Sequence, residues 1–164
     1  MTDEELILVR EIEAAFDGVR LDGGISLNMT EYHDSGGSMS EYAEKAKGDE
    51  REDWRRIPDE TLEQFTVTFA FTDLSGFRFY LPAYMRWTVR NHRTSSSIIA
   101  DHTIYALTPT HYRFEKTPFI KWFTERQLGV ILRFLEFAAA NGETLDAAIA
   151  TRNLMEFNTA QKVL

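Results

Sequence analysis

The histidines are the residues that first suggest chemistry, because an imidazole can bind a metal ion or transfer a proton. His92, His102 and His111 lie within twenty residues of one another, and Asp101 adjoins His102. Zinc and related metals usually take two ligands that are about two to four residues apart in one local turn. Because the gaps between these histidines are ten and nine residues, we expect no metal site.

The chain offers few of the other motifs from which an active site is usually built. It has no cysteine, which excludes thiolate chemistry and disulfides. It has no Gly-x-Ser-x-Gly nucleophile motif, and its paired glycines lack the spacing and the lysine of a phosphate-binding loop. The serine run at residues 95–97 is typical of a helix boundary. The sequence therefore predicts no catalytic residue and no cofactor, and it favours a non-enzymatic function.

Residues 76–87 contain five aromatic side chains and a proline, which is the densest such run in the chain. Aromatic side chains at this density form either the centre of a hydrophobic core or the wall of a ligand pocket. If they form a pocket, its wall consists of the rings at positions 77, 79, 80, 84 and 87, and an arginine fixes an anionic group of the ligand. The candidate ligand-binding residues are Arg78, Tyr80, Tyr84, Arg86 and Trp87.

The charge distribution bears on the partners of the protein, whose net charge is -8. Residues 1–63, the acidic N-terminal part, carry 18 acids and 7 bases, whereas residues 64–164 carry 8 acids and 11 bases. A basic strip follows the aromatic run; it consists of Arg78, Arg86, Arg90, Arg93, Arg113, Lys121 and Arg126. Guanidinium groups beside aromatic rings suit nucleic acid, but the negative net charge opposes a phosphate backbone. We therefore expect the strip to pair with the acidic N-terminal part, and we expect no nucleic-acid partner.

Length and composition predict one globular domain that spans residues 1–164. The chain is 43% hydrophobic and 27% charged, which is ordinary for a folded protein of this size. Its N-terminus is acidic, unlike a secretory signal, and no apolar run approaches the roughly 18 residues of a membrane span. We expect a cytoplasmic protein with no membrane partner; the sequence predicts no oligomeric state.

Helical spacing of the apolar residues dominates the chain. A first helix over residues 3–17 has Thr2 or Asp3 as its cap. Thr124 and Gln127 form a capping box ahead of a long helix, and Thr144 begins a last one. Between residues 19 and 57 the periodicity weakens, and we expect only short helices, over residues 26–32 and 40–47.

Residues 58–81 allow two interpretations. Pro58 followed by acids favours a helix that extends to Phe69, but the alternation from Phe65 to Phe71 is also typical of a strand that pairs with Phe77–Leu81. Because Pro82 disfavours a helical residue before it, we expect Phe77–Leu81 to be extended and residues 83–92 to be helical. The predicted fold class is thus mainly α, a single compact multi-helix domain with either a short β-hairpin or an extended segment around residues 65–81.

Three motifs carry a resemblance to a known family: Trp54-x-x-Ile57-Pro58, the run from Gly76 to Met85, and Thr124-x-x-Gln127. They resemble a family of small bacterial proteins of unknown function, over roughly residues 50–140 and the first helix. The resemblance implies a bacterial, cytosolic, mainly helical protein. It implies no established activity, cofactor or catalytic residue.

Two functional hypotheses follow. The first is a non-enzymatic interaction module, of the immunity or regulatory type, whose acidic N-terminal part binds a basic protein partner. The second is a small-molecule-binding protein or enzyme with an aromatic pocket around residues 77–87 that recognises an anionic ligand.

Overall fold

The structure is a computed structural model that describes residues 1–162 and the side chains through Thr159. Within these residues the chain forms nine α-helices and no strand, which confirms the mainly α fold class. The helices are α1 Asp3–Ala15, α2 Leu27–Ser35, α3 Met39–Lys45, α4 Asp59–Gln64, α5 Thr68–Phe71, α6 Leu74–Asn91, α7 Ile99–Ala106, α8 Glu125–Ala140 and α9 Ala147–Lys162. None of the described helices combines the length and the apolar character that a membrane span requires.

Helix α6 is the centre of the fold. Every residue from Gly76 to Val89 except Arg78 is buried, which is typical of a helix that other elements enclose on all sides. Helices α1, α4 and α7 and the 3₁₀ turn Trp54–Arg56 pack around it. The aromatic run of the sequence is therefore the middle of the hydrophobic core, and its five rings are at most 1% exposed.

The predicted extended segment Phe77–Leu81 is wrong, and so is the predicted hairpin. Pro82 lies inside α6, so the carbonyl of Arg78 loses its helical hydrogen-bond donor. A proline inside a helix costs about 3 kcal/mol, whereas each fully buried large apolar side chain contributes about 1.5–3 kcal/mol. Because α6 buries several such side chains on both sides of Pro82, packing outweighs the local preference.

The helix that was predicted to run from Pro58 to Phe69 is in fact two short helices, α4 and α5. Pro58 is the cap of α4 rather than its first residue, and the backbone leaves the helical conformation at Phe65. The β-branched residues Thr66 and Val67 fill the break, which accounts for the strand-like pattern there.

Capping residues fix several helix ends as predicted. Thr124 and Gln127 form a complete capping box at α8, with hydrogen bonds of 3.1 and 3.2 Å. Thr2 caps α1 in the same way through Glu5. Other boundaries differ: Ser38 rather than Ser40 caps α3, and the last helix begins at Ala147 rather than at Thr144.

Candidate functional site

The three aromatic candidates of the predicted pocket lie in the core. Tyr80 Oη accepts a hydrogen bond of 3.2 Å from the amide of Leu27, and Tyr84 Oη donates one of 2.6 Å to the carbonyl of Phe65. Burial raises the pKa of both phenols well above the usual range. Trp87 is 1% exposed, and its Nε1 has no partner among the described side chains.

The two arginine candidates lie in different surroundings. The Arg86 guanidinium is nearly buried; Nη1 is 3.4 Å from Glu13 Oε1, and Nη2 donates to the carbonyl of Arg55. Arg78 instead lines a polar hollow at the surface together with Asp17 and neighbouring residues. The fold therefore does not gather the five candidate residues around one cavity.

The middle of the basic strip pairs with the acidic N-terminal part, as predicted. Arg86 contacts Glu13, and Arg90 Nη1 is 4.0 Å from Asp59 Oδ1. Arg93 Nη1 is 2.6 Å from Oε1 of Glu5, which lies on α1. These pairs tie α1 and α4 to the last turns of α6.

Glu5 belongs to a buried polar cluster at this end of α6. Its side chain and that of His92 are both 1% exposed, and His92 Nε2 lies 3.2 Å from Glu5 Oε1. The amide of Thr2 donates to Glu5 Oε2 at 2.7 Å, and Thr144 Oγ1 lies 2.6 Å from His92 Nδ1. Burial opposes the charged form, but the hydrogen bonds from Thr2, His92 and Arg93 together lower the pKa of Glu5.

A cavity of about 190 Å³ lies on another side of the core, between residues 66–70, helix α7 and the 3₁₀ turn Tyr112–Phe114. Its wall is mainly apolar, with Val67, Phe69, Ala70, Tyr105 and Ala106. Three side chains add nitrogen atoms to it: His102, His111 and Arg113. We call this space the Arg113 cavity.

Core contacts hold the walls of the Arg113 cavity in place. The ring of Phe114 packs against those of Phe77 and Phe119, which anchors the turn that carries Arg113. Asn153 of α9 donates to the carbonyl of Ile104, which fixes α7. The side chains of the cavity therefore project from an anchored frame.

Arg113 carries a half-buried charge that makes no ion pair with the described side chains. Its Nη2 donates to the carbonyl of Phe69, and the guanidinium lies 5.1 Å from the centroid of the Phe77 ring. Nη1 is buried and has no hydrogen-bond partner in the part of the chain whose side chains are described. Burial lowers the pKa of the guanidinium, and the nearby Tyr112 acts weakly in the opposite direction.

The two histidines present opposite hydrogen-bonding groups. His102 Nδ1 lies 2.7 Å from the carbonyl of Thr66; since a carbonyl only accepts, Nδ1 donates, and in the neutral ring Nε2 is an acceptor. His111 Nδ1 accepts from the amide of Arg113 at 3.3 Å, so its Nε2 carries the proton. Burial and then the charge of Arg113 lower the pKa of His111, which favours its neutral form at pH 7.

The cavity thus combines a cation, a donor and an acceptor with an apolar wall, which suits the binding of a small organic anion. No group of three or more potential metal ligands occurs among the described residues. In the sequence the two histidines suggest only a metal site, and Arg113 is one member of the basic strip. No local motif indicates that they share a cavity, because the opposite wall comes from Thr66 and its neighbours, and Thr66 is 36 residues from His102.

A model of a protein family described as "Family of unknown function (DUF6714)" matches residues 3–162. The resemblance to a family without an established function is thereby confirmed, while its bacterial origin and its core motif stay predictions. No curated protein and no solved structure matches the chain.

Proposed function

Because the chain belongs to the DUF6714 family, whose function is unknown, we propose its function from its geometry: it is a binding protein that takes a small organic anion in the Arg113 cavity. The observation that carries this proposal is the guanidinium of Arg113, whose Nη1 is buried and has no hydrogen-bond or carboxylate partner among the described side chains. An isolated buried charge costs free energy unless an opposite charge or hydrogen bonds compensate it. A ligand carboxylate supplies both, because it accepts paired hydrogen bonds from a guanidinium.

This proposal keeps the anionic ligand of the sequence-based alternative and moves the favoured site from residues 77–87 to the Arg113 cavity. Phe77 links the two, since its ring contacts Arg113 from the core side. Binding is favoured over catalysis because neither His102 nor His111 has a hydroxyl hydrogen-bonded to Nε2 within the described residues. A histidine that activates a nucleophile needs that contact.

The test is isothermal titration of wild-type protein and Arg113→Met with benzoate, acetate and inorganic phosphate. We expect a carboxylate to bind the wild type and its affinity to fall by about tenfold or more in Arg113→Met, because hydrogen bonds to charged groups are lost. Arg10→Met is the matched control, since Arg10 is exposed on α1.

Arg113→Met is expected to keep its fold. Methionine keeps an apolar stem that can pack against the Phe77 ring, and the change removes a charge whose partial burial costs free energy. Melting of the variant by circular dichroism therefore separates loss of ligand from loss of structure. Equal carboxylate affinity in Arg113→Met and Arg10→Met, or no carboxylate binding by the wild type, would contradict the proposal.

A second candidate function is the binding of a basic protein partner by the acidic N-terminal part. The observation that favours it is a set of exposed acids that make no ion pair within the described residues, in the N-terminal turn of α1 and along α4: Asp3, Glu4, Glu60 and Glu63. Both helices contact the same end of α6, through the pairs of Arg93 and Arg90. Acids grouped in this way can steer a basic toxin or enzyme toward the protein.

A pull-down from native lysate tests this candidate with three proteins: the wild type, a variant with the four acids changed to amides, and a control variant. The control changes four exposed acids outside the acidic N-terminal part to Gln: Glu115, Glu125, Glu136 and Glu143. We expect a basic protein that the wild type and the control enrich and the first variant does not. Equal enrichment by all three proteins refutes the candidate.

A further inference from the structure

We infer that the ligand of the Arg113 cavity is a small aromatic carboxylate that carries a hydrogen-bond donor, such as a hydroxyl, on its ring. This inference rests on the proposed anion-binding function and adds the chemical class of the ligand. It draws on the size of the cavity, on its apolar wall and on the two histidines, none of which is needed for anion binding alone.

The size of the cavity limits the ligand to one ring with small substituents. The volume is about 190 Å³, and an engineered cavity of about 150 Å³ in another protein holds one benzene molecule. The remaining space suits a carboxylate and one further small group. A nucleotide or a fused ring system exceeds this volume and would have to extend past Tyr105 into solvent.

The wall of the cavity favours a flat apolar body. Val67, Ala70 and Ala106 contribute small aliphatic surfaces, and Phe69 contributes a ring. Tyr105 also lines the cavity and is 56% exposed, so it stands where the cavity meets solvent. Aromatic side chains pack on a ligand ring in stacked or edge-to-face geometry.

The donors of the cavity belong to one turn. Arg113 and His111 are joined by the hydrogen bond from the Arg113 amide to His111 Nδ1, which leaves the Nε2–H of His111 as a second donor from the same wall of the cavity. A carboxylate has two acceptor oxygens and satisfies both donors. The turn is therefore the carboxylate end of the site.

The acceptor of the cavity belongs to α7. Because His102 Nδ1 donates to the carbonyl of Thr66, the neutral ring offers an acceptor at Nε2 that no described group satisfies. A ligand with an O–H or N–H donor can pair with that atom in place of solvent, and a site that hydrogen-bonds a ligand hydroxyl binds analogues without the hydroxyl less tightly. His102 therefore selects for a ring hydroxyl or an equivalent donor.

The experiment measures the Kd of benzoate, the 2-, 3- and 4-hydroxybenzoates and the corresponding methoxybenzoates, which cannot donate. We expect one hydroxybenzoate to bind about tenfold tighter than benzoate and its methoxy counterpart to show no such gain. The test variant is His102→Asn, because an asparagine amide retains a donor for the Thr66 carbonyl and lacks the acceptor at the position of Nε2. His33→Asn is the control, since His33 is exposed on α2.

In His102→Asn we expect the gain from the hydroxyl to disappear while the Kd of benzoate changes by less than about threefold. If benzoate binding depends on Arg113 and no hydroxybenzoate binds tighter, the inference is overturned and the proposed function stands. If the gain survives in His102→Asn, the assignment of the hydroxyl to His102 is overturned. If no carboxylate binds the wild type, both the inference and the proposed function fail.

Discussion

Replacement of Glu5 by Gln tests how much the buried cluster at the end of α6 contributes to stability. The change removes one negative charge and nearly conserves the shape of the side chain. Glu5 accepts from Thr2, His92 and Arg93, at 2.7, 3.2 and 2.6 Å. A glutamine has one acceptor oxygen, so its NH₂ group faces at least one donor of the cluster.

The magnitude follows from burial. Hydrogen bonds to a charged group contribute about 1.5–3 kcal/mol, and a buried donor that is left unsatisfied costs about 1–3 kcal/mol, so we expect a loss of about 3 kcal/mol. The ion pair between Arg93 and Glu5 adds little to this loss, because the Arg93 side chain is 49% exposed and solvent screens the pair. We therefore expect Glu5→Gln to lower the free energy of unfolding by about 3 kcal/mol and Tm by roughly 6–12 °C for a domain of this size.

The effect depends on pH with a defined sign. The pKa of Glu5 is lowered in the folded state, so its stabilisation is complete above the ordinary carboxyl range near about 4.3. It is lost as the pH falls through the lower folded pKa. The difference between the wild type and Glu5→Gln should thus shrink below about pH 4.

Urea unfolding at several pH values measures this difference, with Glu4→Gln as the control. Glu4 adjoins Glu5 on α1 but is exposed, and its replacement should change stability by less than about 0.5 kcal/mol. If Glu5→Gln is as stable as Glu4→Gln at pH 7, or if the difference does not shrink in acid, the reasoning about the cluster is refuted.

Three further substitutions test the packing of α6. A Cβ on Gly76 would overlap Thr72 Oγ1 and would lie 2.8 Å from the carbonyl oxygen of Ile25, so Gly76→Ala should cost about 1–3 kcal/mol or more in denaturant unfolding; unchanged stability would contradict this close approach of the backbone. Trp87→Ala should cost about 3–5 kcal/mol as a core deletion, whereas Arg78→Ala, at a half-buried position, should cost only about 1 kcal/mol; equal losses would contradict the assignment of Trp87 to the core.

The sequence predicts those parts of the fold that depend on neighbouring residues in the chain. The capping box of Thr124 and Gln127 satisfies backbone donors within one turn, so its pattern is readable locally. The pairing of Arg86, Arg90 and Arg93 with the acidic N-terminal part follows from the opposite net charges of the two parts of the chain. Pro82 shows the limit of such reasoning, because its effect on the backbone is outweighed by helices that lie far away in sequence.

The Arg113 cavity could not be predicted from local sequence either, because it depends on segments that are distant in the chain. Its walls come from residues 66–70, from α7 and from residues 111–113. None of these segments indicates a binding site by itself. In the sequence Arg113 resembles a surface arginine, and the packing of Phe114 against the core anchors the turn that places it in the cavity. Tertiary contacts therefore determine this site, whereas the predicted pocket was inferred from local density of aromatic residues, which in this chain marks the core.

The enclosure of residues 79–89 of α6, all of which are buried, also has a consequence for amide hydrogen exchange. Local opening releases amides at fraying ends and in loosely packed helices, but it cannot bring water to a helix that is covered on every side. The amides of residues 83–89 should then exchange only through global unfolding, so their rates report the stability of the whole protein. The α2–α3 pair, in which α3 buries no residue, should exchange at a lower free energy. Pro82 weakens α6 locally, yet we expect the amides of α6 to exchange more slowly than those of any other described segment.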